Sequence, residues 1–84
     1  MFTVYVLYSK SFDKIYIGYT SNMEARLIAH NHPKNKGWTK RYMPWELIYK
    51  ETFETKAEAM KREKEMKSFR FRQFIRNEIL PNLT

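Results

Sequence analysis

The chain has 84 residues, no cysteine and a formal net charge of +7 at neutral pH. This length predicts one domain over residues 1–84, and the lack of cysteine excludes disulfides, zinc–thiolate sites and thiol nucleophiles. The longest apolar run, residues 4–8, is far too short to cross a membrane, and strand-like sequence begins at residue 2. We therefore expect no signal peptide, no membrane association and a cytoplasmic location, and the positive charge favours a polyanionic partner.

The first half of the chain predicts a β-hairpin followed by a helix. Residues 2–8 and 14–19 are rich in β-branched and aromatic side chains, with turn-forming residues between them. A capping box that begins at Ser21 predicts a helix that reaches about residue 31. The proline-containing segment 32–37 breaks this helix and is predicted to form a basic loop.

The second half predicts one more strand and two helices. The strand covers residues 45–53, and a second capping box, beginning at Thr55, starts a helix that reaches about Lys67. Apolar residues at helical spacing predict a last helix that ends before Pro81, namely Phe71, Phe74, Ile75 and Ile79. The order ββαβαα predicts an α+β fold in which a small three-stranded antiparallel sheet is flanked by helices.

One carboxylate lies where an apolar side chain is expected. At about 100° per residue, Ala59, Met60 and Met66 form the apolar stripe of the second helix, and Glu63 lies near its middle. A carboxylate there costs free energy unless it is paired or binds a cation. The alternative is an ion pair with Lys67, one turn later, which stabilises a helix by only about 0.2–0.5 kcal/mol.

A second pair of polar side chains shares a face of the first helix. Arg26 and His30 are one turn apart and border the apolar stripe formed by Met23 and Leu27, so both are expected at the rim of the core. The planar guanidinium suits a phosphate, and a histidine can donate to a phosphate oxygen or transfer a proton near neutral pH. A solvated arginine and a helix-terminal histidine are the alternative.

Two tyrosines stand on the adjacent strands of the predicted hairpin. The hydroxyls of Tyr5 and Tyr16 converge if the strand register places both residues on one face of the sheet. The sequence leaves that register open. Tyrosines that fill the core and leave their hydroxyls at the surface are the alternative.

The positive charge is concentrated in two clusters. Both favour binding to a nucleic-acid backbone, although a solvated helix face is the alternative for either cluster alone. Phenylalanines among the arginines of the last helix also allow a basic adaptor for a protein or an anionic membrane surface, but they are more typical of a core helix with a solvated face. The first cluster contains Lys34, Lys36, Lys40 and Arg41, and the second contains Lys61, Arg62, Lys64, Lys67, Arg70, Arg72 and Arg76. The phenylalanines are Phe69, Phe71 and Phe74.

Taken in order, these residues resemble the GIY-YIG nuclease superfamily, which is named after two tripeptides. Thr3-Val4-Tyr5 stands at the first tripeptide and keeps its tyrosine, and Tyr16-Ile17-Gly18 stands at the second. The family pattern continues with an arginine and a histidine on the first helix and a glutamate on a later helix. Arg26, His30 and Glu63 match these three positions.

The segment of residues 37–49 also resembles small stand-alone bacterial members of this superfamily. These members are related to the nuclease domain of the excision-repair endonuclease and to phage homing endonucleases. The resemblance covers most of the chain, from Phe2 to about Ile75.

The resemblance implies a divalent-metal-dependent endonuclease that hydrolyses phosphodiester bonds in nucleic acid, with DNA as the expected substrate and DNA repair as the implied setting. One Mg²⁺ or Mn²⁺ would be held by Glu63 and water molecules, as hard cations prefer. Arg26 would neutralise the scissile phosphate. A non-catalytic nucleic-acid-binding module of the same fold is the alternative.

The resemblance also implies how water is activated. Tyr5 or Tyr16 would activate or orient the attacking water with the assistance of His30, and a nearby cation and Arg26 would lower the pKa of that tyrosine. The supporting residues would be Lys67 and Gly18. Because stand-alone members lack added binding domains, a protein partner is expected to supply specificity. The chain itself is expected to be a monomer or a weak homodimer.

Overall fold

The central strand of the structure is β1 (Phe2–Ser9), which pairs antiparallel with β2 (Lys14–Thr20) on one side and β3 (Glu46–Phe53) on the other. The computed structural model describes residues 1–82. Three α-helices accompany the sheet, and the predicted order ββαβαα and the α+β class are both confirmed. The helices are α1 (Met23–His30), α2 (Lys56–Met66) and α3 (Phe69–Phe74).

Alternate residues of β1 pack on opposite faces of the sheet, as the pleat requires. Val4 and Val6 face the larger core, where they pack with the buried residues Ala59 and Met66 of α2 and with Ile75, which follows α3. Tyr5 and Leu7 face the other side, where they pack with Trp45 and with the half-buried side chains of α1, Met23 and Leu27. Each face of the sheet therefore has its own apolar cluster.

An irregularity in β3 allows that strand to contribute to both clusters. Val6 pairs with Tyr49 and Leu7 pairs with Leu47, so Ile48 is an extra residue without a partner in β1. Ile48 and Tyr49 consequently both pack against the larger core, although they are adjacent in sequence. Leu47 packs against the cluster on the opposite face.

The two predicted capping boxes have different outcomes. The box that begins at Thr55 is confirmed, because its hydroxyl accepts from the N–H of Glu58 and the Glu58 carboxylate accepts from the N–H of Thr55. The box predicted at Ser21 is wrong. Asn22 has the extended backbone of a cap, and its Oδ1 accepts from the N–H of Ala25 at 3.1 Å.

The segment between α1 and β3 is more ordered than the predicted basic loop. A 3₁₀ turn, Trp38–Tyr42, follows the loop, and Trp45 Nε1 donates to the carbonyl oxygen of Thr39 at 2.7 Å. The side chain of Asn31 also accepts from the N–H of Trp45 and donates to its carbonyl oxygen. These bonds fix the segment to the end of α1.

The last helix is only partly as predicted. After α3 the chain continues through a π-helical turn, Ile75–Ile79, and a short 3₁₀ turn, Leu80–Asn82. Phe71, Ile75 and Ile79 pack in the larger core as predicted. Phe74 was wrongly predicted there and is 42% exposed. Among residues 1–82, no helix is both long enough and apolar enough to cross a membrane.

Candidate active site

A cavity of about 530 Å³ opens where β1, β2, α1 and α2 approach one another. It is lined by five of the residues that the sequence singled out, on four separate elements of the chain. They are Tyr5, Tyr16, Gly18, Arg26 and Glu63. Lys56, at the start of α2, also lines it and was not predicted.

The strand register resolves the arrangement of the two tyrosines. Tyr5 pairs with Gly18 and Leu7 pairs with Tyr16, so Tyr5 and Tyr16 lie on the same face of the sheet. Their ring centroids are 6.2 Å apart. Tyr5 is almost fully buried, whereas Tyr16 is partly accessible.

Gly18 provides the space that the Tyr5 side chain occupies. A Cβ atom built at Gly18 would lie 2.7 Å from Tyr5 Oη and 2.9 Å from Tyr5 Cζ, which is closer than real Cβ contacts. The backbone of Gly18 does not have a positive φ angle. Glycine is therefore needed here for the close approach of a ring and not for an unusual backbone conformation.

A chain of hydrogen bonds leads from Tyr5 away from the cavity. Tyr5 Oη lies 3.0 Å from His30 Nε2, and His30 Nδ1 lies 3.0 Å from Thr39 Oγ1. Asn35 Nδ2 donates to Thr39 Oγ1 at 2.7 Å and to the carbonyl oxygen of His30, while Asn35 Oδ1 accepts from the N–H of Gly37. The imidazole is thus held at both nitrogens, and it is more deeply buried than the predicted position at the rim.

Burial keeps both ends of the Tyr5–His30 pair neutral. Desolvation raises the pKa of Tyr5 far above its usual value of 10.0, and the adjacent Tyr16 raises it further. Arg26 lowers the pKa of Tyr5, as the sequence suggested, but burial outweighs this effect. Burial and the neighbouring Arg26 also lower the pKa of His30 from 6.5, so the imidazole is uncharged at neutral pH.

Two opposite charges face the same cavity from different helices. Arg26 is exposed, and none of the four ion pairs among residues 1–82 includes it, so its guanidinium is available to an anion. Glu63 is more enclosed, with 18% of its side chain exposed, and its Oε1 lies 3.4 Å from Lys67 Nζ. The predicted ion pair with Lys67 therefore exists, yet Glu63 also lines the cavity.

The side chains around Glu63 suit only a cation that takes few of its ligands from the protein. The part of the chain that the structure describes contains no group of three or more His, Cys, Asp or Glu side chains suited to a metal ion. Mg²⁺ commonly uses one or two carboxylates and fills its remaining positions with water and substrate phosphate oxygens. A single carboxylate on an open cavity fits that mode of binding and does not fit a closed metal site.

Comparison with known proteins identifies the family of the chain. Residues 1–72 match the family model of the GIY-YIG catalytic domain. The chain belongs to the GIY-YIG family. This assignment supports hydrolase chemistry of the nuclease type.

The GIY-YIG chain is similar to small bacterial proteins over most of its length. It is 42% identical over 73 residues to a UPF0213 protein of Staphylococcus haemolyticus, covering 87% of this chain and 88% of that protein. It is 44% identical over 62 residues to one of Staphylococcus epidermidis, covering 74% and 76%. The solution NMR structure of the UPF0213 protein from Bacillus halodurans has a TM-score of 0.55 and 32% identity, covering 96% of this chain and 89% of that one.

The two GIY-YIG tripeptides meet in the sheet at a single residue pair. Thr3, Val4 and Tyr5 of β1 pair with Thr20, Tyr19 and Gly18 of β2, in that order, and only Gly18 belongs to the second tripeptide. The tyrosine of the first tripeptide therefore lies opposite the glycine of the second. This pairing gives a physical reason why the tyrosine of one short motif occurs together with the glycine of the other.

The basic clusters lie on different sides of the GIY-YIG domain. Lys34, Lys36, Lys40 and Arg41 are exposed on the segment between α1 and β3, which packs on the same face of the sheet as Tyr5. Arg70 and Arg72 are exposed on α3, which packs on the opposite face. The structure therefore does not bring these two arginines to the cavity.

Several polar contacts were not predicted from the sequence. Thr39 and Asn35 bind His30, although the sequence had singled out neither of them as a candidate site residue. Arg62, on α2, donates two hydrogen bonds to Glu51 in β3 at 2.9 and 3.0 Å. These partners are 9, 5 and 11 residues apart in sequence, outside the spacings at which helix neighbours can be identified.

Proposed function

We propose that this GIY-YIG protein is an endonuclease that hydrolyses phosphodiester bonds in nucleic acid, with DNA as the expected polymer and a divalent cation as cofactor. One observation carries the proposal. An arginine without a carboxylate partner among the described residues and an enclosed glutamate face one cavity beside a tyrosine–histidine pair. A phosphate needs a cationic partner, and a cation needs a carboxylate, so these charges suit a metal-assisted reaction at a phosphate.

Arg26 is the group that would bind the scissile phosphate. It is exposed, lines the cavity and can donate two hydrogen bonds to two phosphate oxygens at once. Mg²⁺ or Mn²⁺ bound at Glu63 would supply positive charge to the departing 3′ oxygen. Lys67 contacts Glu63 at 3.4 Å and can orient its carboxylate, and we assign it a supporting role.

The hydrogen bonds around His30 suggest different roles for the two tyrosines. Since Thr39 Oγ1 accepts from Asn35, its own proton is available to His30 Nδ1. In the tautomer that this arrangement favours, His30 Nε2–H donates a hydrogen bond to Tyr5 Oη, which leaves the Tyr5 hydroxyl proton free to point into the cavity. We infer that neutral Tyr5 orients a phosphate or water oxygen. The more accessible Tyr16 is the better candidate for accepting the proton of the attacking water, in a phenolate form whose own hydroxyl proton has first been released to solvent.

A nucleic-acid-binding protein that does not cleave is the second candidate. The ion pair between Glu63 and Lys67 supports it, because a carboxylate that already has a cationic partner does not require a metal ion. The cytoplasmic location, a partner that supplies specificity and the oligomeric state stay predictions of the sequence.

Replacement of Glu63 separates the two candidates. Cleavage of plasmid, single-stranded and branched DNA, and of RNA, is measured in Mg²⁺, Mn²⁺ and EDTA. We expect Glu63→Gln to lower cleavage by roughly 100-fold or more, because the carboxylate charge that holds the cation is lost. Glu65→Gln is the matched control, since Glu65 lies on the same helix, is 54% exposed and does not line the cavity.

The same variants are then tested for binding and folding. Glu63→Gln should bind nucleic acid at least as tightly as the wild type, because a negative charge beside the phosphates is removed. Its thermal stability should change by no more than about 0.5 kcal/mol, since the lost ion pair is half exposed on the Lys67 side. A folded Glu63→Gln protein that cuts at the wild-type rate would refute the metal site, and wild-type binding without EDTA-sensitive cleavage would establish the second candidate.

A further inference from the structure

A row of aromatic rings extends from the cavity across the surface of the segment between α1 and β3. The Trp38 ring lies 6.4 Å from that of Tyr16 at an interplanar angle of 28°. Beyond it, Tyr42 is 4.7 Å from Trp38 between ring centroids, and Phe12 is 5.5 Å from Tyr42. Trp38 and Phe12 are 48% and 49% exposed, so these rings do more than fill the core.

Trp38 is also part of a second concave site that adjoins the first. A cavity of about 300 Å³ is lined by Trp38 and His30, and it shares Tyr16 and Arg26 with the larger cavity. The buried indole of this region is Trp45, which is only 4% exposed and packs with Tyr5. The outer face of the Trp38 ring is therefore not needed to fill the core.

The charges around the aromatic row suit a nucleic acid. Residues 31–45 contain four lysines and arginines and no aspartate or glutamate. Lys40 and Arg41 follow Trp38 in the 3₁₀ turn, and Lys14 Nζ lies 5.4 Å above the ring of Tyr42. Exposed rings beside positive charges are the combination with which proteins bind single-stranded nucleic acids, since bases stack on the rings and phosphates meet the cations.

Two of the polar side chains that line the second cavity, Asn35 and Thr39, have partners within the protein. Both atoms of the Asn35 amide are used, one by Gly37 and the other by His30 and Thr39. They are consequently poorly placed to read the edge of a base. Stacking on an indole is tolerant of sequence, because every base has a π face.

We propose that Trp38, with Tyr42 and Phe12 beyond it, is a stacking platform for unpaired nucleobases, and that the substrate presented to the Arg26–Glu63 cavity is single-stranded nucleic acid. This proposal rests on the proposed function for the location of the reacting phosphate. A base within a duplex is stacked on both faces by its neighbours, so it cannot occupy the platform unless it leaves the stack.

Binding in EDTA tests the platform without cleavage. Fluorescence anisotropy is measured with a labelled single-stranded oligonucleotide, as DNA and as RNA, with the same strand lacking its bases, and with a blunt duplex. Trp38→Leu removes the ring but keeps apolar bulk, and it should weaken binding to the intact single strand by about tenfold or more. Its affinity for the abasic strand and the duplex should stay within about twofold, because phosphate contacts are unchanged.

Two further variants make the result specific to a ring at this position. Trp38→Phe should retain most of the affinity for single strands, and Phe69→Leu should retain all of it, because Phe69 is 77% exposed but lies on α3, away from the cavity. The tryptophan fluorescence of the wild type should be quenched by the intact strand, and that of Trp38→Phe should not. Thermal unfolding verifies that each variant is folded.

The outcomes distinguish the platform from the nuclease. Single-strand binding that depends on the Trp38 ring, in a protein that never cleaves, would support the platform and refute the proposed function. Cleavage by the wild type, combined with equal effects of Trp38→Leu on intact, abasic and duplex probes, would refute the platform alone. Unchanged affinity of Trp38→Leu for single strands would also overturn it.

Discussion

Gly18→Ala tests the close approach on which the geometry of the cavity depends. The added Cβ would lie 2.7 Å from Tyr5 Oη, whereas ordinary contacts begin at 3.4 Å. Tyr5 is 1% exposed, so its ring cannot rotate freely into solvent to relieve the contact. The ring or the strand must therefore move by several tenths of an ångström, and this movement affects the 3.0 Å hydrogen bond between Tyr5 and His30.

The expected magnitude follows from two opposing effects. Overpacking a well-filled site typically costs about 1–3 kcal/mol. Replacing a glycine in a strand removes a conformational-entropy penalty of about 0.5–1 kcal/mol, and the backbone of Gly18 has no positive φ angle that would prevent this gain. We therefore expect Gly18→Ala to destabilise the protein by about 1–2 kcal/mol, which lowers the melting temperature by roughly 5–15 °C.

Cleavage should fall further than stability explains, by about tenfold to a hundredfold, because small misplacements of active-site groups are costly. Cleavage is measured in Mg²⁺ well below the melting temperature of the variant, and stability by thermal unfolding. The other glycine of the chain provides the control, since a Cβ at Gly37 meets nothing closer than Asn35 Oδ1 at 3.4 Å. Gly18→Ala with a melting temperature at or above that of the wild type and full activity would refute the steric argument.

Two further predictions concern the charges of the fold. Because the pKa of His30 is below 6.5 in the folded state, the unfolded chain binds more protons as the pH falls below that value. Stability should therefore decrease between pH 7 and pH 5, and this decrease should be smaller in His30→Gln than in the wild type when both are followed by thermal unfolding. Arg62→Lys should cost about 1 kcal/mol in denaturant unfolding, because a lysine cannot donate in parallel to both oxygens of Glu51 and Arg62 is only one-third exposed. Arg72→Lys is the control on exposed α3, and equal stabilities of the two variants would contradict this reasoning.

The elements of the fold were predictable where a local pattern determines them. Runs of β-branched and aromatic residues and the capping box at Thr55 gave the correct order of strands and helices, because both signals depend on neighbours in sequence. The cap at Asn22 was missed because Ser21 stands three residues before a glutamate, which is the spacing of a capping box. The backbone angles of Asn22 identify it as the cap. Ile48, the extra residue of β3, has no local signal, because it is defined by pairing with β1.

The candidate site was predictable to the extent that it follows a family pattern. The sequence did not determine that Tyr5 and Tyr16 share a face of the sheet, which required the register with β2. Nor did it identify Thr39 and Asn35, which reach His30 from a loop whose course depends on the anchoring of Trp45. Polar partners from irregular segments are set by tertiary contacts and have no fixed spacing in sequence.

The position of Glu63 explains why spacing alone could not decide its role. Pairing with Lys67 and facing a cation site were treated as alternatives, but the side chain does both, because it stands where the stripe of α2 meets the cavity. The contact with Lys67 lowers the cost of keeping a carboxylate at an enclosed position when no cation is bound. That contact uses Oε1 at 3.4 Å, so the pair is loose and half exposed on the lysine side. A carboxylate held by so loose a contact is not tightly neutralised, and this is the condition under which one carboxylate can still attract a hydrated divalent ion once a phosphate adds further oxygen ligands.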